Sequence, residues 1–149
     1  MLPDYSCVWV KGENAMVRLW KECEGAENIV ISGHVRPDGD CVGSCMAAYL
    51  FLRKVMPKAR IKVFLEQPAD IFSCIQDFDK IETECSMEET PDVFIALDCE
   101  KTRLGAAETL FDKAKKKINI DHHISNASGC GDVNYVVPTA SSASELIYD

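Results

Sequence analysis

The sequence has no Cys-X-X-Cys pair, although it carries 8 cysteines. Cys7, Cys23, Cys41, Cys45, Cys74, Cys85, Cys99 and Cys130 show no paired knuckle spacing, which argues against a structural zinc site. There is no apolar run near the length of a membrane span, and the opening stretch, MLPDYSCVWV, has no basic leader. These absences predict a cytoplasmic protein with reduced thiols, most of them buried as small hydrophobes. Basic residues are scarce: 16 Lys and Arg stand against 24 Asp and Glu, for a formal charge of −8 at pH 7. That balance argues against sequence-independent nucleic-acid binding, which depends on cations releasing counterions from phosphates. An acidic chain can still take a phosphorylated ligand if divalent cations saturate some of its carboxylates. Where the carboxylates lie therefore matters more than their sum.

The chain has 149 residues and 47% hydrophobic content, enough for one cored domain or a piece of a larger protein. It has no repeat and no low-complexity linker, and alternates short apolar runs with helical patterns. NAMVRLWKEC (14–23) spaces Met16, Leu19, Trp20 and Cys23 as a helix, and NIVIS (28–32) is a buried strand. CVGSCMAAYLFLRKVM spaces Val42, Cys45, Met46, Tyr49, Leu52 and Met56 on one helical face, ended by Pro57. RIKVFL (60–65) is a second strand, ADIFSCIQDF a short helix and KIETEC an edge strand. DVFIALD is a strand, TRLGAAETLFDKAKKK an amphipathic helix whose lysine-rich last turn suits the macrodipole, and INID a strand. Strand and helix alternating in this way predict an α/β fold, a mostly parallel sheet flanked by helices on both faces. Ser142 and Glu145 have capping-box spacing, so a helix begins there and is cut short at Asp149. The expectation is a domain truncated at its C-terminal end.

Three of these strands finish on ionisable residues. NIVIS runs into His34, Asp38 and Asp40; VFIAL runs into Asp98; INI runs into Asp121, His122 and His123. The carboxyl ends of strands in an open α/β sheet share one edge, where ligands bind, so these residues should converge. Left empty, such a gathering of carboxylates would repel itself, whereas divalent cations favour the ionised forms. Mixed carboxylate and imidazole donors suit Mn²⁺, Mg²⁺, Fe²⁺ or Zn²⁺, and there are more donors than one ion needs. Two ions could activate water and stabilise both oxygens of an in-line displacement at phosphorus. Taken singly, each piece has a plainer reading. Asp38 and Asp40 could be a turn aspartate and the N-cap of a helix beginning at Cys41, Asp98 could cap a turn, and a His-His pair could be surface polarity. An EF-hand reading of DGDCVG fails at Val42 and Tyr49, where oxygen ligands are needed.

GHVRPDGDCVGS, ALDCEKTRLG and NIDHH, in this order, resemble the DHH family of phosphoesterases, and within it the nanoRNase/pAp phosphatase branch. The likeness runs from about Ile29 to Asp149. It implies hydrolysis of short oligoribonucleotides and of 3′-phosphoadenosine 5′-phosphate (pAp) with two divalent cations, most simply Mn²⁺. By resemblance, His34, Asp38 and Asp98 hold one ion, and Asp40, Asp98 and His122 the second, with Asp98 bridging. Asp121 orients the imidazole of His122, and His123 sits beside the phosphate as hydrogen-bond donor or general acid. Gly39 relaxes a turn between two ligands, and Gly43 lets its helix approach the sheet. Arg103 could contact phosphate or form a surface ion pair.

One further family aspartate, downstream of the DHH motif, and a second domain with a glycine-rich substrate loop are not found within residues 1–149. The resemblance therefore assigns activity to the intact protein, acting on short single-stranded RNA or a small nucleotide, with no membrane partner and with a homodimer as the family's frequent state. Related readings are a family II inorganic pyrophosphatase and a cyclic-dinucleotide phosphodiesterase. A reading of another class is a non-catalytic nucleotide-binding module, which commonly loses ligands; here every ligand within reach is present.

Overall fold

The structure is a computed structural model and describes residues 15–148. The N-terminal stretch and its Cys7 lie outside the described residues. Among the described residues, four α-helices surround six strands: α1 (Ala15–Glu22), β1 (Asn28–Ser32), α2 (Gly39–Val55), β2 (Arg60–Phe64), β3 (Ile81–Glu82), β4 (Val93–Leu97), α3 (Glu108–Lys113), β5 (Lys116–Asp121), β6 (Val133–Val136) and α4 (Ala143–Tyr148). The strands form one sheet in the order β3-β2-β1-β4-β5-β6, and every pairing is parallel.

The central strands are apolar on both faces because both faces are covered. On one, Ile29, Ile31, Ile95, Leu97, Ile118 and Ile120 pack under Leu19 of α1, Met46 and Leu52 of α2, and Leu146 and Ile147 of α4. On the other, Val30, Phe64, Phe94 and Ala96 meet Leu104, Leu110 and Phe111, with Phe94 and Phe111 edge to face at 5.2 Å. Each such side chain removed from water contributes about 1.5–3 kcal/mol. Most of the helical stripe expected on α2 is buried: Val42, Cys45, Met46, Tyr49 and Leu52 are in the core, while Met56 is the C-cap and only partly buried. Trp20, placed by spacing on the inner face of α1, is instead 41% exposed.

Several expectations are corrected. Helix α2 starts at Gly39, and its N-cap is Asp38, whose Oδ1 accepts the Cys41 N–H at 2.9 Å; Asp40 lies within the first turn. The long helix expected over TRLGAAETLFDKAKKK is broken into 3₁₀ turns at Lys101–Arg103 and Gly105–Ala107, with only Glu108–Lys113 α-helical. The break falls at Gly105, whose φ of 59° lies outside the right-handed helical region. Only the first lysine of the run, Lys113, ends that helix: Lys116 and Lys117 belong to β5, and Lys115 and Lys116 pair with Asp92 and Glu22. The segment expected as a short helix is a 3₁₀ turn, Asp70–Cys74, and the edge strand is the two-residue β3. Strand β6 was not anticipated.

The strand order sets the site. The chain builds outward from β1 to β2 and β3, then returns to the other side of β1 to lay down β4, β5 and β6. The loops leaving β1 and β4 diverge at that reversal, and the crevice between them at the carboxyl ends is where such sheets bind ligands.

Candidate metal centre

Each strand end at the reversal delivers its ionisable group by a local device. Past β1, a Cβ on Gly33 would run into Cys41 Sγ and come within 3.0 Å of the Leu97 carbonyl, so only glycine lets β1 pass so close to α2 and β4. The next residue, His34, is buried, and its Nδ1 lies 2.8 Å from the Val35 carbonyl. That bond places the proton on Nδ1 and turns Nε2 toward the carboxylates. Past β4, Asp98 adopts φ 61°, a left-handed conformation that costs energy for any residue but glycine. The turn holds its carboxylate over the sheet edge while its N–H still bonds the Ile120 carbonyl at 3.0 Å.

The convergence expected from sequence is observed. His34 Nε2 is 3.3 Å from Asp98 Oδ2 and 3.5 Å from Asp38 Oδ1. On the other side, His122 Nε2 is 3.2 Å from Asp98 Oδ1 and 3.4 Å from Asp40 Oδ2. Two groups could each hold a metal ion, with donor atoms within 4.8 Å of one another: His34, Asp38 and Asp98; and Asp98, Asp121, His122 and His123. Asp98 belongs to both.

The donors fit a cation better than they fit one another. Charge-assisted hydrogen bonds are shorter, about 2.7–2.9 Å. Two donors about 2.1 Å from a shared ion, at tetrahedral or octahedral angles, stand about 3.0–3.4 Å apart, which is close to the spacing seen here. Asp98 Oδ1 is fully buried and has no hydrogen-bond partner among the described residues. An orphaned buried carboxylate oxygen is costly unless a cation satisfies it. Burial raises the Asp98 pKa, with Asp40 adding repulsion, and contact with Asp98 raises that of His34 from 6.5 to about 9. Without an ion, the proton on His34 supplies the positive charge. For Asp40, burial is outweighed by the Ser144 hydroxyl and the N–H groups of Ala143 and Ser144, and its pKa is lowered.

Asp121 acts differently from expectation. Its Oδ1 lies 2.7 Å from Nδ1 of His123 and not against the ring of His122, from which it accepts only the backbone N–H, also at 2.7 Å. The sequence reading missed what holds Asp121. Asn126 Nδ2 donates to Asp121 Oδ2 at 2.8 Å and to Asn119 Oδ1 at 2.8 Å, and Asn119 Nδ2 donates to the carbonyls of Ala96 and Cys99. The available signal was Asn119, a polar residue inside an apolar strand. Gly39 has no positive φ and faces the Phe72 ring, and Gly43 faces Ser144 of α4, not the sheet. Arg103 is exposed, and its carbonyl accepts the Val35 N–H at 2.9 Å.

Residues 28–149 match the family model described as DHH family, N-terminal domain. The chain belongs to the DHH family. Within that family it is similar to the bifunctional oligoribonuclease and PAP phosphatase NrnA of Bacillus subtilis (strain 168), 29% identical over 123 residues, or 83% of this chain and 37% of that protein. Among solved structures it resembles an exopolyphosphatase-related protein from Bacteroides fragilis, with TM-score 0.75 and 27% identity over 89% of this chain and 41% of that one. The DHH chain thus spans well under half the length of either relative. Among its described residues no helix is long and apolar enough to cross a membrane.

Proposed function

We propose that this chain is the ion-binding half of a metal-dependent phosphoesterase that hydrolyses short oligoribonucleotides, pAp, or both. The observation that carries the reading is Asp98: a buried carboxylate with one unpartnered oxygen, flanked by His34 on one side and His122 on the other. In this reading His34, Asp38 and Asp98 hold one divalent ion, and Asp40, Asp98 and His122 the other, Mn²⁺ being the simplest choice. Bound there, the ions would supply a nucleophile from water and neutralise charge developing at phosphorus.

The chain's own groups have separate tasks. The Val35 carbonyl fixes the His34 tautomer with its proton on Nδ1, so that Nε2 would be the atom to hold an ion. Asp121 holds Nδ1–H of His123, so Nε2 is the nitrogen left for the phosphate; with a second proton on Nε2 the imidazolium would donate to the phosphate or pass that proton to the departing oxygen, ending as the neutral ring. Support for the substrate class comes from the likeness to NrnA, and the short span relative to NrnA supports a further substrate-gripping domain in the whole protein.

The test is Mn²⁺-dependent hydrolysis by the intact protein, comparing pAp, a diribonucleotide, a cyclic dinucleotide and pyrophosphate. Release of phosphate from pAp or of mononucleotide from the diribonucleotide, lost in Asp98→Ala, supports the reading. Preference for pyrophosphate would favour the pyrophosphatase alternative, and no turnover of any phosphoester would favour a binding module.

A further inference from the structure

Asp40 has partners that a plain metal ligand does not need. Its Oδ2 accepts the N–H of Ala143 at 2.9 Å, and its Oδ1 accepts the N–H of Ser144 at 2.8 Å. The Ser144 hydroxyl returns to the Asp40 carbonyl at 3.3 Å. The oxygen bonded to Ala143 is also the one that faces His122 Nε2 at 3.4 Å. A carboxylate has about four lone-pair sites, so two amide bonds leave room for an ion while fixing the plane of the group.

Helix α4 has its own start signal beside this. Its Glu145 N–H donates to Ser142 Oγ at 2.9 Å, and the Glu145 carboxylate accepts from the N–H and hydroxyl of Ser141. The amides of Ala143 and Ser144 are thus given to Asp40, while the next is capped within α4. The contact also needs room. One helical turn beyond Asp40, a Cβ on Gly43 would stand 3.3 Å from Ser144 Oγ, so bare backbone on α2 lets α4 settle against it.

We infer that the N–H groups of Ala143 and Ser144 position the Asp40 carboxylate for its ion, so that the seating of α4 on α2 sets affinity at the Asp40–His122 half of the centre. This rests on the metal-centre reading above. Ala143 and Ser144 are positioning residues, acting through Asp40.

The test is Mn²⁺ binding to the intact protein, followed by calorimetry and by the electron paramagnetic resonance of free Mn²⁺, in three variants. Ala143→Pro removes one of the two donors at the first helical position, where proline is tolerated. Gly43→Ala sets a methyl group 3.3 Å from Ser144 Oγ, pressing on the hydroxyl that bonds the Asp40 carbonyl, and stands in if the proline variant does not fold. Ser142→Ala weakens the start of α4 without touching Asp40. The expected result is an affinity for one of the two ions lowered about tenfold in Ala143→Pro, in the range for lost outer partners of a ligand, and lowered less in Gly43→Ala, with Ser142→Ala close to wild type. Wild-type affinity in Ala143→Pro and Gly43→Ala, or an equal loss in Ser142→Ala, would overturn the inference. A wild-type protein that takes up no Mn²⁺ would overturn the metal-centre reading itself.

Discussion

Nδ1 of His123 stands 2.7 Å from Oδ1 of Asp121, so the second histidine of the motif is aimed by the aspartate two residues before it. The other oxygen of Asp121 is held by Asn126 at 2.8 Å, which leaves the carboxylate little freedom to rotate. Asp121→Asn keeps the volume but presents the wrong hydrogen-bonding group to one of these neighbours. The expected outcome is a fall in kcat of about 10- to 100-fold with KM changed less. Steady-state kinetics on pAp, with Mn²⁺ saturating, checks it.

His34 predicts a pH dependence for the metal-free protein. Its pKa is raised from 6.5 to about 9, chiefly by contact with Asp98. The folded chain therefore keeps a proton that the unfolded chain loses first. The associated stability is fully present below pH 6.5 and is lost as pH rises through about 9. Thermal denaturation without metal should show Tm falling across that window, and His34→Gln should flatten the slope. Because an ion needs the neutral imidazole, Mn²⁺ affinity should rise over the same range, with a proton released on binding.

Gly33→Ala places a methyl group against Cys41 Sγ and the Leu97 carbonyl. Overpacking of this kind costs about 1–3 kcal/mol. Denaturant titration should show that loss, and because His34 is the next residue, Mn²⁺ affinity should fall as well.

Asn119→Ala removes one partner each from the carbonyls of Ala96 and Cys99, the part-buried N–H of Cys130 and the side-chain amide of Asn126, which keeps its bonds to Asp121 and Cys99. Each buried polar group left unpaired costs about 1–3 kcal/mol, and relaxation offsets part of the sum. A destabilisation of about 2–4 kcal/mol is expected by urea titration. Asn119→Asp should not rescue it, since the carboxylate cannot donate to the two carbonyls.

Much of the architecture was legible because its signals are local. NIVIS and VFIAL lie within strands β1 and β4 because runs this apolar are stable only between two covered faces. The α2 stripe follows from spacing alone, since residues three and four apart share a helical face whatever lies opposite. The long helix expected after Asp98 failed at Gly105, a left-handed turn in a segment whose Arg103 carbonyl accepts the N–H of Val35, a residue far away in sequence. Strand β6 escaped notice because VNYV is short and only pairing with β5 makes it a strand.

The same division runs through the site. That His34, Asp98 and the Asp121–His123 run each stand at the end of a strand was written in the chain, because residue spacing and apolar pattern fix where a strand stops. Which carboxylate meets which imidazole was not. Asp38 is at once the N-cap of α2 and a neighbour of His34, Asp121 serves His123, and Asp40 is gripped by a helix about a hundred residues later. Those pairings depend on strand order and on how α4 seats against α2. Hydrogen bonds with a reach of about 3 Å are decided by the packing of distant segments, which no local pattern encodes.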